Sequence, residues 1–413
     1  MCTMLCLSLK NIPEVPIDPK VSLVELRLDL NPDLLEYRSQ IKVPVILTDR
    51  GCSPARLKEL IDLNPDYIDT EEPQGQIQNL IYSYHNYEKT PTDLESLVKE
   101  MRKVPARLYK IACFANSSLD ALRLAKLSSQ YPDVLAFAIG DAVSFSRFLA
   151  SPWIYCALNE SERTAPGQPT VDEAKKFEKG DNYALIGGQL EKSHSDEIHN
   201  AYFEKMWIQA KYLKIPLKKE ELSFFFSCAA TLGFKGFSIT MPHKSDVIPL
   251  FDHIDETAQK IGAINTAHLK NGKWYGSNTD AKGALDAIED LLLVKGKHLL
   301  LIGLGGSAKA VAYEAIQRGA RVSVTGRAEK PFPFGTFISM SQIHQFPYDI
   351  LVNATPHPMP IDKSEIIPGS IVMDLKSQPS TLLFCAKSKG CQTILGSQMW
   401  MNQALLQYAT WFG

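Results

Sequence analysis

The chain has 413 residues, 45% hydrophobic and 22% charged, a size for two to three folded domains and an ordinary composition for a globular protein. A disordered chain would have fewer apolar residues and more charge. Forty-four Lys and Arg against 46 Asp and Glu leave a net charge of −2, without the basic excess of a nucleic-acid or anionic-membrane binder.

No apolar run approaches the roughly 20 residues of a membrane span. The first residues, Met1 to Asn11, are apolar but lack a basic start and a cleavage site, so they read as a strand rather than a signal peptide. The eight cysteines, Cys2, Cys6, Cys52, Cys113, Cys156, Cys228, Cys385 and Cys391, form no CxxC pair. Reduced thiols in a cytoplasmic protein are expected, and no metal site.

Eight short apolar runs alternate with helical patterns over the first 160 residues: Met4–Leu9, Leu23–Leu28, Val43–Leu47, Tyr67–Asp69, Leu80–Tyr84, Leu108–Phe114, Val134–Ile139 and Trp153–Ala157. Between the fifth and sixth, Thr92 and Glu95 form a capping-box pattern, and Leu94, Leu97, Val98 and Met101 mark one helix face. The pattern predicts a (β/α)8 barrel, with an open α/β sheet as the alternative.

Alternation on the second strand puts Val24, Leu26 and Leu28 on one face and Glu25, Arg27 and Asp29 on the other. Later strands also end in polar groups: Thr48 and Arg50, Asp69 and Glu71, Ser83 and His85. A solvated edge strand would explain one such row. A series of them fits a site at the C-terminal mouth of a barrel. Lys110 lies inside the sixth strand among Leu108, Tyr109, Ile111 and Ala112. Burial would favour its neutral amine, which attacks carbonyls to form an imine; the alternatives are a lysine that snorkels to the rim or pairs with a carboxylate. His85 near Asp69 or Glu71 would supply proton transfer.

Residues 1–175 resemble type I 3-dehydroquinate dehydratase in Glu25-Leu-Arg27-Leu-Asp, Ser83-Tyr-His85-Asn-Tyr-Glu-Lys-Thr-Pro, Tyr109-Lys110-Ile-Ala, Phe145-Ser-Arg147-Phe and Ala165-Pro-Gly-Gln168. The resemblance implies a Lys110 imine with the C3 carbonyl of 3-dehydroquinate, and His85 taking the C2 proton and helping the C1 hydroxyl leave as water. It implies that Arg147 and Gln168 hold the carboxylate and hydroxyls, and that Glu25, Arg27 and Arg50 complete a polar cage. The family's acidic residue shortly after the Arg50 equivalent is missing: Gly51-Cys-Ser-Pro54 follows instead. The carboxylate orienting His85 is therefore Asp69 or Glu71.

Arg163–Asn182, with Pro166-Gly-Gln-Pro169, reads as a linker, and a second αβ pattern starts at Tyr183. Further on, Gly303-Leu-Gly305-Gly306-Ser307-Ala308 follows a strand and opens a helix, as a pyrophosphate-binding turn does. The next strand, Arg321–Thr325, is followed by Gly326-Arg327; an arginine there favours the 2′-phosphate of NADP over NAD, unless it is only a solvated loop residue. Lys244 and Asp280 could form a proton-transfer pair, or a plain salt bridge.

From Tyr183 to the C-terminus the chain resembles shikimate dehydrogenase, through Leu190-Glu-Lys-Ser193-His-Ser195, Ser238-Ile-Thr240-Met-Pro-His-Lys244, Gly262-Ala-Ile-Asn265-Thr, Gly276-Ser-Asn-Thr-Asp280 and Gly396-Ser-Gln-Met399-Trp-Met-Asn-Gln403. By that likeness Lys244 and Asp280 are catalytic, and Ser193, Ser195, Thr240, Asn265 and Gln403 contact substrate. The glycine turn, Arg327 and Met399 hold NADP(H), and Asn353 and Thr355 lie near the nicotinamide. Three positions depart from the family: Asp196 for a proline, Gly326 for an asparagine and Ser377 for a substrate-contacting tyrosine.

The expected architecture is a barrel over 1–175, a substrate-binding α/β domain over 182–283 with a C-terminal helix at 394–413, and a Rossmann-type NADP domain over 284–393. The expected function is consecutive dehydration of 3-dehydroquinate and NADPH reduction of 3-dehydroshikimate to shikimate, with the intermediate diffusing free. Small molecules are the expected partners, with neither nucleic acid nor membrane. The rivals are an aldolase-like barrel fused to another dehydrogenase, a quinate-preferring dehydrogenase, and a barrel reduced to a scaffold beside an active dehydrogenase.

Overall fold

The structure, a computed structural model, describes residues 4–149, 152–177, 180–327, 331–376 and 378–413; Ser377 therefore lies outside the described residues. The chain forms two compact units, 1–235 and 236–413.

The first unit opens with eight parallel strands: β1 Met4–Leu9, β2 Val21–Arg27, β3 Val45–Thr48, β4 Tyr67–Thr70, β5 Leu80–Asn86, β6 Leu108–Phe114, β7 Val134–Ile139 and β8 Trp153–Cys156. Their order, β7-β6-β5-β4-β3-β2-β1-β8, is that of a barrel with one seam. Among the described residues no ladder joins β7 to β8; a 3-10 run, Asp141–Phe148, follows β7 instead. All eight expected strands form, displaced by no more than two residues at each end.

Period-2 alternation divides the barrel's apolar residues between two cores. Leu5, Leu7, Val24, Leu26 and Leu47 pack outward. Cys6, Leu23, Ile46, Ile81, Leu108, Ala112, Leu135 and Tyr155 pack inward. Glu25, Arg27 and Lys110 share the inner alternation and are buried with it.

The helices are α1 Leu34–Tyr37, α2 Pro54–Asp62, α3 Leu94–Met101, α4 Ser118–Gln130 and α5 Val171–Lys176. No helix separates β1 from β2 or β4 from β5, which is how the barrel fits so short a segment. The cap of α3 falls one residue later than the sequence pattern suggested. Asp93, not Thr92, accepts from the Ser96 amide (2.8 Å) and also from the Ser96 hydroxyl (2.7 Å); a carboxylate is the stronger acceptor at a helix start.

The stretch expected to be a linker is largely folded. Thr170 and Glu173 form a capping box, and Val171 and Ala174 of α5 pack into the outer core. Its Pro, Gly and charges mask a two-residue apolar stripe. The first unit ends with β9 Asp181–Gly187, α6 Ser195–Lys205, β10 Ala210–Pro216, parallel to β9, and α7 Leu222–Ala229. Glu221, just before α7, accepts from the Leu119 amide at the start of α4 (3.0 Å), and Lys126 of α4 lies over the Phe224 ring.

Next comes β11 Phe234–Ile239, which runs across the boundary into the second unit. There β12 His253–Ile254, α8 Glu256–Ile261, β13 Thr266–Lys270, β14 Lys273–Ser277 and α9 Asp280–Glu289 follow. The strands order as β11-β13-β14-β12, antiparallel except for β12 on β14.

The remainder is a parallel sheet of β15 His298–Ile302, β16 Arg321–Thr325, β17 Thr336–Phe337, β18 Ile350–Asn353, β19 Ile371–Asp374 and β20 Gln392–Leu395, with helices α10 Gly306–Gln317 and α11 Thr381–Ser388. Its order, β17-β16-β15-β18-β19-β20, is the 3-2-1-4-5-6 order of a dinucleotide fold. The last helix, α12 Gly396–Phe412, lies against α9 so closely that a Cβ at Gly283 would stand 2.8 Å from the Gln403 nitrogen. Among the described residues no helix is long and apolar enough to cross a membrane.

Candidate active sites

Inside the barrel, one cavity is lined by all seven residues expected there: Glu25, Arg27, Arg50, His85, Lys110, Arg147 and Gln168. They come from four strands or strand ends, from the 3-10 run after β7 (Arg147) and from the loop before α5 (Gln168). Lys110 is buried, yet it is not the isolated amine that the apolar run suggested. Its Nζ donates to Asp69 at 2.6 Å, lies 3.5 Å from Glu25 and sits 4.3 Å from the centre of the Tyr155 ring. Ser83 donates to Asp69 (2.6 Å); Ser8 and Thr48 donate to Glu25 (2.6 and 2.9 Å). Burial alone would raise the Glu25 pKa, but Lys110, Arg27 and the Ser8 hydroxyl outweigh it and hold the carboxyl down to about 2.

The two candidate acids thus divide their tasks. Asp69 pairs with Lys110, and Glu71, just beyond the end of β4, has a carboxylate oxygen 2.6 Å from His85 Nδ1. On the other side of the ring, Arg50 Nη2 donates to His85 Nε2 (2.8 Å). A guanidinium only donates, so Nε2 is the bare nitrogen and Nδ1 carries the proton. Burial lowers the His85 pKa, Lys110 and Arg50 lower it further, and Glu71 acts against them. The imidazole is therefore neutral, a base, at neutral pH.

Arg147 is buried over the Phe137 ring (4.5 Å), its Nε has no partner, and it forms no ion pair among the described residues. Burial pushes its pKa down to about 10. An uncompensated guanidinium facing a cavity is a receptor for an anion. Beside it, Gln168 Oε1 accepts from the amide and hydroxyl of Thr164 (2.7 and 3.0 Å). The sequence reading missed Ser8, Tyr87, Tyr155 and Thr164 as cavity residues. Ser8 and Tyr155 were within reach of it, since each lies two residues along its strand from an inward residue, Cys6 and Trp153.

Glu71→Gln keeps the side-chain shape but removes the charge that favours protonated His85. Its expected effect is a loss of about 10²- to 10⁴-fold in turnover by the barrel site. The acid limb of the pH–rate profile should also move to lower pH, read by steady-state rates across pH.

In the second unit Lys244, Asp280, Asn265 and Gln403 come together. Lys244 is ion-paired with Asp280 and donates to the Ser307 hydroxyl (3.1 Å) at the start of α10. Asn265 Nδ2 donates to the other Asp280 oxygen (2.8 Å) and to Thr279 (3.0 Å), and lies 3.3 Å from Gln403 Oε1. Behind this cluster Gln407, which sequence reasoning did not single out, ties together Ser238, Thr266 and the Asn265 carbonyl. Thr240 follows β11, and its carbonyl accepts from the His243 amide.

The glycine turn leads from β15 into α10. Gly303 has φ +122°, and a Cβ there would stand 3.0 Å from the Ala354 oxygen. Gly305 caps α10 without a side-chain acceptor, and nothing lies within 4 Å of where its Cβ would be. The first amides of α10 are thus left for an outside anion. Arg327 is exposed just past β16. Asn353 is fully buried and bonded to Asp374, Thr355 and the His357 carbonyl, so it braces the β18 end and leaves Thr355 partly exposed. Ala308 and Met399 are packed in the apolar core.

Ser193 and Ser195 lie in the first unit, bonded to each other (2.9 Å). The Asp196 departure adds little net charge, because Lys214 sits 3.2 Å from its carboxylate and also donates to the Ser193 carbonyl (3.0 Å).

Fold and sites define a two-part α/β protein, a lysine-centred barrel followed by a dinucleotide-binding fold. Residues 9–179 match the family model for type I 3-dehydroquinase, and 185–267 that for the shikimate dehydrogenase substrate binding domain. The shikimate biosynthesis protein AroDE of Chlamydia pneumoniae is 31% identical over 440 residues, 95% of this chain and 90% of its own length. The bifunctional 3-dehydroquinate dehydratase/shikimate dehydrogenase of Arabidopsis thaliana is 30% identical, over 95% of this chain and 77% of its own. A solved shikimate dehydrogenase in complex with NADP+ is 30% identical with a TM-score of 0.52, covering 56% of this chain and 89% of that one. The chain belongs to the family of bifunctional dehydroquinate dehydratase–shikimate dehydrogenases.

Proposed function

We propose that the chain dehydrates 3-dehydroquinate to 3-dehydroshikimate in its barrel and reduces that ketone to shikimate with NADPH in its C-terminal half. The observation that carries this reading is the Lys110 site, a buried lysine, a neutral histidine and an Arg147 without an ion pair among the described residues around one cavity. Lys110, its proton passed to Asp69, attacks the C3 carbonyl; loss of water gives the imine. The protonated imine is an electron sink for the pair left when His85 takes the C2 proton; His85 returns that proton to the C1 hydroxyl, which leaves as water, and a water then hydrolyses the imine to release 3-dehydroshikimate and Lys110. Arg147 and Gln168 hold the carboxylate and hydroxyls, and Glu25, Arg27 and Arg50 line the rest.

In the second half Lys244 and Asp280 hold the proton that the ketone oxygen gains, while Asn265, Thr240, Gln403, Ser193 and Ser195 bind substrate. NADPH supplies the hydride when bound. The residues present fit it: the uncapped first amides of α10, after the Gly303–Gly306 turn, suit a pyrophosphate and Arg327 suits a 2′-phosphate. We assign the substrate-binding domain to 182–283 with the helix at 394–413, and the NADP domain to 284–393. A cytoplasmic location accords with seven free cysteines among the described residues.

The test is NADPH absorbance in the presence of 3-dehydroquinate alone. Sustained oxidation requires both activities in order; no oxidation, with or without added 3-dehydroshikimate, overturns the reading. Arg327→Ala should raise the NADPH Michaelis constant about tenfold or more, as loss of a charge-assisted contact predicts, and relax the preference toward NADH. Unchanged constants for both nucleotides would remove Arg327 from the site.

A further inference from the structure

Arg50 does more in this structure than line a cavity. One of its terminal nitrogens donates to His85 Nε2 (2.8 Å), and the other donates to the Tyr87 hydroxyl (2.7 Å). The Tyr87 ring runs nearly parallel to the imidazole, with centroids 6.0 Å apart and planes at 14°. Tyr87 also lines the cavity, yet 62% of it is exposed. It stands at the mouth, holding Arg50 against the histidine.

His85 has two nitrogens, and both are engaged. Nδ1 faces Glu71, so only the Nε2 lone pair can take a proton from a molecule in the cavity, and Arg50 occupies it. In this state the base cannot act. Arg50 must leave Nε2 before any proton moves, and a polyhydroxylated carboxylate entering the cavity offers the guanidinium better acceptors than an imidazole or a phenol.

We propose that Tyr87 is a positioning residue that clamps Arg50 onto His85 in the free protein, and that the arriving substrate opens the clamp and so exposes the base. The proposal rests on the dehydratase reading for its substrate, and on the His85–Arg50–Tyr87 geometry for the clamp itself. The clamp stabilises the free state only. Breaking it is a cost of binding, not of the chemical step.

The test is Tyr87→Phe, which removes the hydroxyl and keeps the ring at an exposed position. The Michaelis constant for 3-dehydroquinate is expected to fall about threefold to tenfold, the worth of one hydrogen bond, with kcat unchanged. A higher constant, an unchanged one, or a lower kcat overturns the clamp.

A second measurement needs no turnover. Side-chain nitrogen NMR of the free wild-type chain should show His85 protonated on Nδ1 with Nε2 bare. In Tyr87→Phe the His85 pKa should rise, because the guanidinium is held less firmly against the ring. The other charged groups around the imidazole, Glu71, Asp69 and Lys110, are unchanged in the variant. An Nε2–H tautomer in the free chain, or a pKa unmoved by the substitution, sinks the proposal. If neither chain dehydrates 3-dehydroquinate, the functional reading fails, while the NMR results still decide the clamp.

Discussion

Lys110→Ala should eliminate dehydration of 3-dehydroquinate and trapping of substrate by borohydride, while reduction of supplied 3-dehydroshikimate stays within about twofold, as independent sites require. The substitution removes the only amine among the described residues that line the cavity. It also strips the counter-charge from Asp69 and Glu25, which are both buried. Removing one partner of a buried ion pair costs about 3–5 kcal/mol. The variant should therefore melt at a lower temperature. Lys110→Met with Asp69→Asn serves as a control: it takes away the charged pair together, should recover much of the lost stability and should remain inactive. Dehydration by either variant would show that Lys110 is not the imine-forming group, and loss of reduction in the well-folded double variant would contradict separate sites.

Asp280→Asn should lower the rate of 3-dehydroshikimate reduction by about 10²- to 10⁴-fold, the usual range for loss of a proton-transfer group. NADPH binding, followed by fluorescence, should be retained, and dehydration should be untouched. Asp280 receives Lys244 on one oxygen and Asn265 on the other. An amide has one acceptor oxygen, so when it serves the first donor its NH2 faces the second, and some misplacement of Asn265 adds to the loss. Lys244→Met should produce a similar fall. A near-normal rate in both variants would reduce the pair to a salt bridge.

Much of this was legible in the sequence because period-2 alternation is a rigid geometric rule. It placed Glu25, Arg27 and Lys110 inside the barrel from the spacing of their apolar neighbours, and the structure shows them there. The rule fails where strands end. Asp69 and Glu71 share a face by alternation, yet β4 stops at Thr70, and Glu71 turns to His85 while Asp69 stays with Lys110. Pairing between distant strands was equally hidden. An apolar run suggests a bare amine at Lys110, and only the closed barrel brings Asp69 and Glu25 to it. Composition misled at Arg163–Asn182, where Gln168 and α5 complete the barrel. Tyr87 gave no signal, since its partner Arg50 is 37 residues away.

The bond from the Leu119 amide to Glu221 joins the barrel's longest helix to a turn just before α7, more than one hundred residues later. Lys126 and Phe224 meet along the same pair of elements. Heat or denaturant would have to break this seam before the barrel could come apart from the segment that follows it. Residues 1–235 should then melt in one cooperative transition, with hydrogen exchange at Leu119 slowed to the rate of whole-unit opening. Cutting the chain in the stretch that looks like a linker would give a dehydratase fragment missing part of its own stability, even with every catalytic residue in place.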